Sequence, residues 1–244
     1  MEKTFYDSTP FEYGYSSKEE ILSNMNPNLK KVIEKSEGKI ITDVGCGCGR
    51  NLVYSSKFAN KLIGVDLSRQ SLDFAKNFVQ SEKLELVLAN NLDIPLKDNF
   101  SDLVISDGVA HHTGDTIGAF KECVRVLKPG GLLYLAVYKK YRYYPFLYKY
   151  IGFFLRVLNK NKVGNFIMEN TFVLLHFLMY KIFRKQKLIL QETRNIFYDY
   201  FITPIATFQS KKDVESWLND SACTLEKYDR TNGNCHVFII KKGE

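Results

Sequence analysis

From residue 39 to residue 138, short apolar runs alternate with longer amphipathic stretches. Residues 39–44, 61–66, 84–89, 100–106 and 132–138 are near-continuous aliphatic and β-branched runs of strand length. Between them lie helical patterns: 50–59, a stretch after Ser68 with Leu72, Ala75, Phe78 and Val79 on one face, and a stretch after Asp115 with Ile117, Phe120, Cys123, Val124 and Leu127 inward. Ser68 and Asp115 are the predicted N-caps, and Lys128-Pro-Gly-Gly131 breaks the chain before the fifth strand. This rhythm predicts βαβ crossovers and a mostly parallel sheet covered on both faces.

Beyond residue 140 the rhythm changes. Two long apolar-aromatic stretches, 145–158 and 166–183, are joined by polar residues 159–162 and Gly164, and they read as two helices inserted after the fifth strand. Ser210-Lys-Lys-Asp213 is a capping box opening a helix through Trp217 and Leu218; 224–228 and 236–241 read as a closing hairpin around Asn232-Gly233. At the other end, 1–16 is an irregular aromatic arm, and a second capping box at Ser17 to Glu20 opens a helix toward Lys35, interrupted at Asn26-Pro27. The expected organisation is an arm and helix over 1–35, a core over 36–138, an insertion over 139–190, and the last part of the core sheet over 191–244.

Charge sharpens this division. The net charge of +7 is uneven: 139–190 holds eleven Lys or Arg against one acid, Glu169, so it carries +10 while the rest sums to −3. Thirteen aromatics fall between Tyr141 and Phe183, interleaved with those cations. The five cysteines are odd in number and sit mostly in apolar patterns, and Cys46-x-Cys48 has no second pair to complete a zinc site. No metal is expected. The polar N-terminus and the short uncharged runs predict a cytoplasmic protein with no leader and no spanning helix.

The candidate chemistry begins at KIITDVGCGCGRN, residues 39–51, a strand that ends in Asp43 and turns through Gly45, Gly47 and Gly49 into a helix. Such a turn lets backbone approach a nucleotide closely. The dinucleotide spacing G-x-G-x-x-G is not met, because Arg50 stands at the third glycine's place, and no phosphate loop is present. Asp66 ends the second strand, where a carboxylate can accept both hydroxyls of a ribose.

Asp43, Gly45, Gly47 and Gly49 match D-x-G-x-G-x-G, and the stretch resembles the first motif of class I S-adenosylmethionine (SAM) methyltransferases. Residues 89–96 are similar to that family's G-D-A-x-x-L-P-F, with Asn90 at the adenine-binding acid; an amide oxygen still accepts, with a weaker bond, and Asn90 also reads as a plain turn residue. Residues 102–112 resemble the fourth-strand segment of the type 11 methyltransferase superfamily, and Leu127 to Leu132 its signature before strand five. The resemblance implies a Rossmann-like, doubly wound α/β fold with a seven-stranded sheet, mostly parallel with an antiparallel last strand, plus the helical lid insertion. It implies SAM as cofactor, held by Asp43, Gly45, Cys46, Gly47, Gly49, Asn51, Asp66, Leu67, Asn90, Asn91 and Ser106.

For the acceptor, His111 and His112 are the candidate catalytic pair, since a neutral imidazole can take a proton as the methyl moves. Tyr13, Tyr15, Tyr198, Asp199 and Tyr200 are the candidate substrate contacts. The insertion reads as an ordinary lid with solvated lysines, as a surface for an apolar anionic acceptor or an anionic membrane face, or as a groove for structured RNA. A methyl transferred to oxygen or nitrogen of a small or lipid-like acceptor, aromatic or isoprenoid, is the expected function. The alternatives are modification of a tRNA wobble uridine, to whose methyltransferases the HH segment and Tyr228 to Asn232 are loosely similar, and a non-catalytic SAM-binding regulator.

Overall fold

The computed structural model describes residues 25–184 and 189–244. The expected arm, the first capping box and the substrate candidates Tyr13 and Tyr15 lie outside the described residues. The described residues divide into two compact units, one of 25–140 and 205–244 and the other of 141–184 and 189–204.

In the first unit the elements run α1 (Pro27–Glu34), β1 (Ile40–Val44), α2 (Arg50–Ser55), β2 (Lys61–Asp66), α3 (Arg69–Val79), β3 (Leu84–Leu88), β4 (Ser101–Asp107), a 3-10 turn (Ala110–His112), α4 (Thr116–Val126) and β5 (Leu127–Tyr138). The strands form one seven-stranded sheet in the order β3-β2-β1-β4-β5-β7-β6. Strands β1 to β5 pair in parallel, and β7 (Cys235–Lys242) enters antiparallel between β5 and β6 (Cys223–Asp229). The sheet class, the antiparallel strand and the closing hairpin are those the sequence predicts.

Alternation along each strand sorts the two cores. Ile41, Leu62, Leu103, Ile105 and Tyr134 face Leu29 and Ile33 of α1, Leu52 of α2 and Leu72 and Ala75 of α3. Their chain neighbours Ile63, Val104, Leu133 and Leu135 face Phe120 and Cys123 of α4 and Trp217 of the last helix (Lys211–Asn219). The inner strands are therefore apolar on both sides, which is why they read as continuous runs, while the edge strand β3 exposes Glu85. The caps behave as predicted: Ser68 accepts from the Ser71 amide at 3.2 Å, Asp115 from Gly118 at 2.8 Å, and Ser210 and Asp213 bond reciprocally at 3.1 and 2.7 Å. Asn26 caps α1, with Pro27 at its first position.

Two expectations need correction. Ile117 is 43% exposed, because the buried arc of α4 is set by Thr116, Ala119, Phe120 and Cys123 and Ile117 falls outside it. Residues 191–204 belong to the helical unit rather than to the core sheet.

That helical unit consists of α5 (Tyr143–Leu158), a second helix over 162–184 whose α segments Lys162–Ile167 and Leu174–Met179 alternate with π turns, and Leu190–Phe197 ending in a π turn over Tyr198–Ile202. Its interior is polar as well as aromatic. Tyr144 and Tyr148 donate to the carbonyls of Tyr200 and Thr203, each at 3.0 Å, and Arg156 donates to Phe201 O at 2.9 Å. Where the chain leaves and re-enters the first unit it is pinned: Gln209 N donates to Tyr138 O and Lys140 N to Gln209 O, both at 2.8 Å, forming a parallel bridge between Lys139 and Gln209.

Candidate functional site

The sheet order reverses between β1 and β4, and the carboxyl ends of those strands meet there, the place where open α/β sheets bind ligands. Asp43 pairs in register with Ile105, and Ile105 with Tyr134, so Asp43, Tyr134 and Asp107, two residues beyond Ile105, share one face of three adjacent strands. The Asp43 side chain is buried, and neither carboxylate oxygen has a hydrogen-bond partner among the described residues. Burial, with the nearby Asp107 charge adding to it, pushes its carboxyl up from 3.8 to about 7, while Arg50 and Asn51 pull it back.

Arg50 opens α2 and donates to Asp107 Oδ2 at 2.6 Å, with Asn51 Nδ2 at 3.5 Å from the same oxygen. The buried Asn51 Oδ1 has no partner among the described residues. Arg50 and Asp107 are the site residues that the sequence reading missed. An acid ending the central strand at the switch point is the signal that would have found one of them.

The glycine turn holds its shape for steric reasons. Gly45 adopts φ +75°, and a Cβ built on it would stand 2.3 Å from a methyl carbon of Val109. Gly47, at φ +51°, would have nothing within 4 Å of such a Cβ, so its face is open to an approaching group. Asp66 anchors the turn: Oδ2 accepts from Gly47 N at 2.8 Å and Oδ1 from Ser68 N at 2.9 Å. At the end of β3, Asn90 Oδ1 accepts from Leu92 N at 3.0 Å, a turn-forming bond, while Asn91 is buried with Oδ1 unpartnered among the described residues. Leu67, half-buried, follows Asp66.

Two expected cofactor side chains are turned elsewhere. Cys46 packs into the core beneath the turn, its thiol pushed well above the ordinary value by burial and donating to Gly47 O at 3.7 Å, while its backbone N donates to Val65 O at 2.9 Å. Ser106 is buried on the opposite face from Asp107, against the Cys123 thiol of α4.

The two histidines differ. His111 is fully enclosed, its ring stacked on Tyr138 at 3.7 Å between centroids, and burial holds its pKa well below the ordinary value, so it stays neutral. His112 Nδ1 lies 2.8 Å from Ile205 O; a carbonyl only accepts, so Nδ1 carries the proton and the lone pair is on Nε2. The substrate candidates Tyr198, Asp199 and Tyr200 lie in the helical unit. There Tyr198 is buried with its hydroxyl on Glu169, which also receives Arg194 at 2.9 Å, so that hydroxyl serves internal packing.

Residues 42–135 match the protein family described as a methyltransferase domain. A bovine (Bos taurus) protein named probable tRNA methyltransferase 9B is 34% identical over 116 residues, 46% of this chain and 24% of its own length. A ubiquinone biosynthesis O-methyltransferase of Coxiella burnetii is 29% identical over 133 residues, 52% of this chain and 56% of its own. The chain thus spans about a quarter and about half of these curated relatives. Among solved structures, a SAM-dependent methyltransferase from Methanosarcina mazei superposes with a TM-score of 0.57 at 18% identity, over 90% of this chain and 98% of that one, and so shares the fold.

The residues fit SAM. Its sulfonium and ammonium are cations, and the site offers an unpartnered buried carboxylate, Asp43, beside a second, Asp107. Its ribose diol suits Asp66, its adenine amine suits an amide oxygen such as Asn91 Oδ1 or Asn90 Oδ1, and the open face of Gly47 admits close backbone approach.

Proposed function

We propose, starting from a chain whose residues 42–135 match a methyltransferase domain, that it moves a methyl group from SAM to an oxygen or nitrogen of a small, apolar or lipid-like acceptor. The buried Asp43 carboxyl, whose charged form is opposed by burial and by Asp107 and eased only in part by Arg50 and Asn51, carries this reading, because a cation brought to it would restore that charge. Asp43 and Asp107 would meet the cationic end of the cofactor, Asp66 would hold the ribose, and Gly47 leaves its face open to it. The bound cofactor supplies a methyl already activated on a sulfonium, so alignment of donor and acceptor does most of the catalytic work. His112 Nε2, with its tautomer fixed by Ile205, is the base for an acceptor proton, while His111 packs behind it. The likeness to the Coxiella quinone O-methyltransferase supports an apolar acceptor.

Calorimetry with SAM and S-adenosylhomocysteine tests the cofactor site. Asp66→Ala should weaken both by about 1–3 kcal/mol, through the lost ribose bonds and the loosened Gly47 turn. No binding by the native protein would sink the reading. A radiolabelled-methyl screen of lipid, metabolite and tRNA pools then identifies the acceptor. On that acceptor His112→Gln should lower kcat roughly 10²–10⁴-fold with SAM affinity unchanged; an unaltered kcat would remove His112 from the chemistry. The bovine tRNA methyltransferase relative favours a second reading, methylation of tRNA, for which labelling of the tRNA pool with steep salt dependence is the expected sign.

A further inference from the structure

Helix α5 is apolar on two opposite faces. Tyr144, Tyr148, Gly152 and Leu155 form the face buried within the helical unit. Tyr143, Phe146, Tyr150, Phe153 and Val157 recur at intervals of three and four on the other side, and each is between 46% and 64% exposed. An ordinary surface helix is polar there. The second helix repeats the pattern, with Val163 70%, Phe166 68% and Ile182 65% exposed and Leu175 and Leu178 also outward. An exposed apolar surface of this extent marks an interaction site.

We propose that this helical unit docks flat on the surface of an anionic lipid bilayer. Cations stand beside rings of these helices: Arg142 is 5.2 Å from the exposed Tyr143 ring centroid, Lys149 5.5 Å from the exposed Tyr150 and Lys181 4.7 Å from the half-buried Phe177. The one acid of 139–190, Glu169, is occupied by Arg194 and Tyr198, so the face keeps its positive field. Aromatic and aliphatic side chains with a lysine and arginine fringe match the headgroup and acyl boundary of such a bilayer. Base stacking would use the aromatics but not Val157, Val163, Leu175, Leu178 or Ile182. A second copy of this chain would bring two segments of +10 together. No described helix is long and apolar enough to cross a membrane, so the contact is interfacial. The proposal does not depend on the methyl-transfer reading.

The test is flotation of the full chain with vesicles of phosphatidylcholine alone and of equimolar phosphatidylcholine and phosphatidylglycerol. Partition into the anionic vesicles should exceed that into neutral ones by roughly tenfold or more and fall with salt. The triple variant Phe146→Ser, Tyr150→Ser, Phe153→Ser should lose roughly tenfold, and Lys149→Glu with Lys181→Glu should lose the preference for anionic vesicles. The emission of Trp217, the single tryptophan, which is buried against Phe120 in the other unit, checks that the sheet core stays folded. Circular dichroism checks the helices, and retained helicity with lost flotation supports the proposal. Absence of flotation with either vesicle, equal flotation of the triple variant, tRNA binding by the same residues without vesicle binding, or a dimer that the triple variant abolishes while vesicles are ignored would each overturn it.

Discussion

Asp43→Asn should make the ligand-free protein more stable at pH 8 and at the same time weaken SAM binding roughly ten- to hundredfold. The carboxyl sits at about 7 in the folded chain against 3.8 as its ordinary value, because burial and Asp107 disfavour its charged form. The folded chain therefore holds the proton more tightly than the unfolded one. Below the unfolded value there is no penalty; as pH rises toward about 7 stability falls, and above that the full cost of holding the anion is present, on the order of 4 kcal/mol. The amide removes that charge, so its advantage in chemical denaturation should be largest at pH 8 and shrink as pH falls toward 4. The same reasoning makes SAM affinity rise with pH through about 7, with up to one proton released on binding, readable by calorimetry in buffers of different ionisation enthalpy. Equal stability of the two proteins at pH 8, or undiminished SAM binding by the variant, would remove Asp43 from the site.

The second large effect concerns the turn itself. Gly45→Ala combines a positive φ with a methyl driven into Val109, and a loss of about 2–5 kcal/mol in chemical denaturation is expected. Adding Val109→Ala should return the packing share, about 1–3 kcal/mol, and leave the backbone share. Gly47→Ala has no neighbour to strike; it should cost only about 1–2 kcal/mol of stability and act mainly on SAM affinity. Additivity in the Gly45 and Val109 cycle would show that the turn moves aside rather than clashing.

What could be read in the sequence follows from which forces are local. The inner parallel strands were legible because both of their faces are buried, and the caps at Ser68, Asp115 and Ser210 because a side chain and an amide three residues on suffice to make them. The glycine turn was legible for the same reason. Arg50 and Asp107 were not read, since their 2.6 Å ion pair joins residues 57 apart; only the place of Asp107 at the end of its strand marks it locally. Cys46 and Ser106 came with the resemblance, which does not say which way a side chain points; the structure sends both side chains to the core. The stretch 191–204, read with the last part of the core sheet, lies in the helical unit, where Glu192, Thr193 and Asn195 are buried; no local pattern marks which unit a polar helix joins.

The bridge between Lys139 and Gln209 has a consequence for how such a chain diversifies. With departure and return strapped side by side, the loop-closure entropy is met at the neck, and further length beyond it adds only slowly to the cost. The segment hung there behaves as an exchangeable cassette: its length, charge and apolarity are free to be rewritten while the cofactor turn and the sheet keep their own register. A lineage that needed the same methyl donor against a different partner would have to change only what lies beyond that strap.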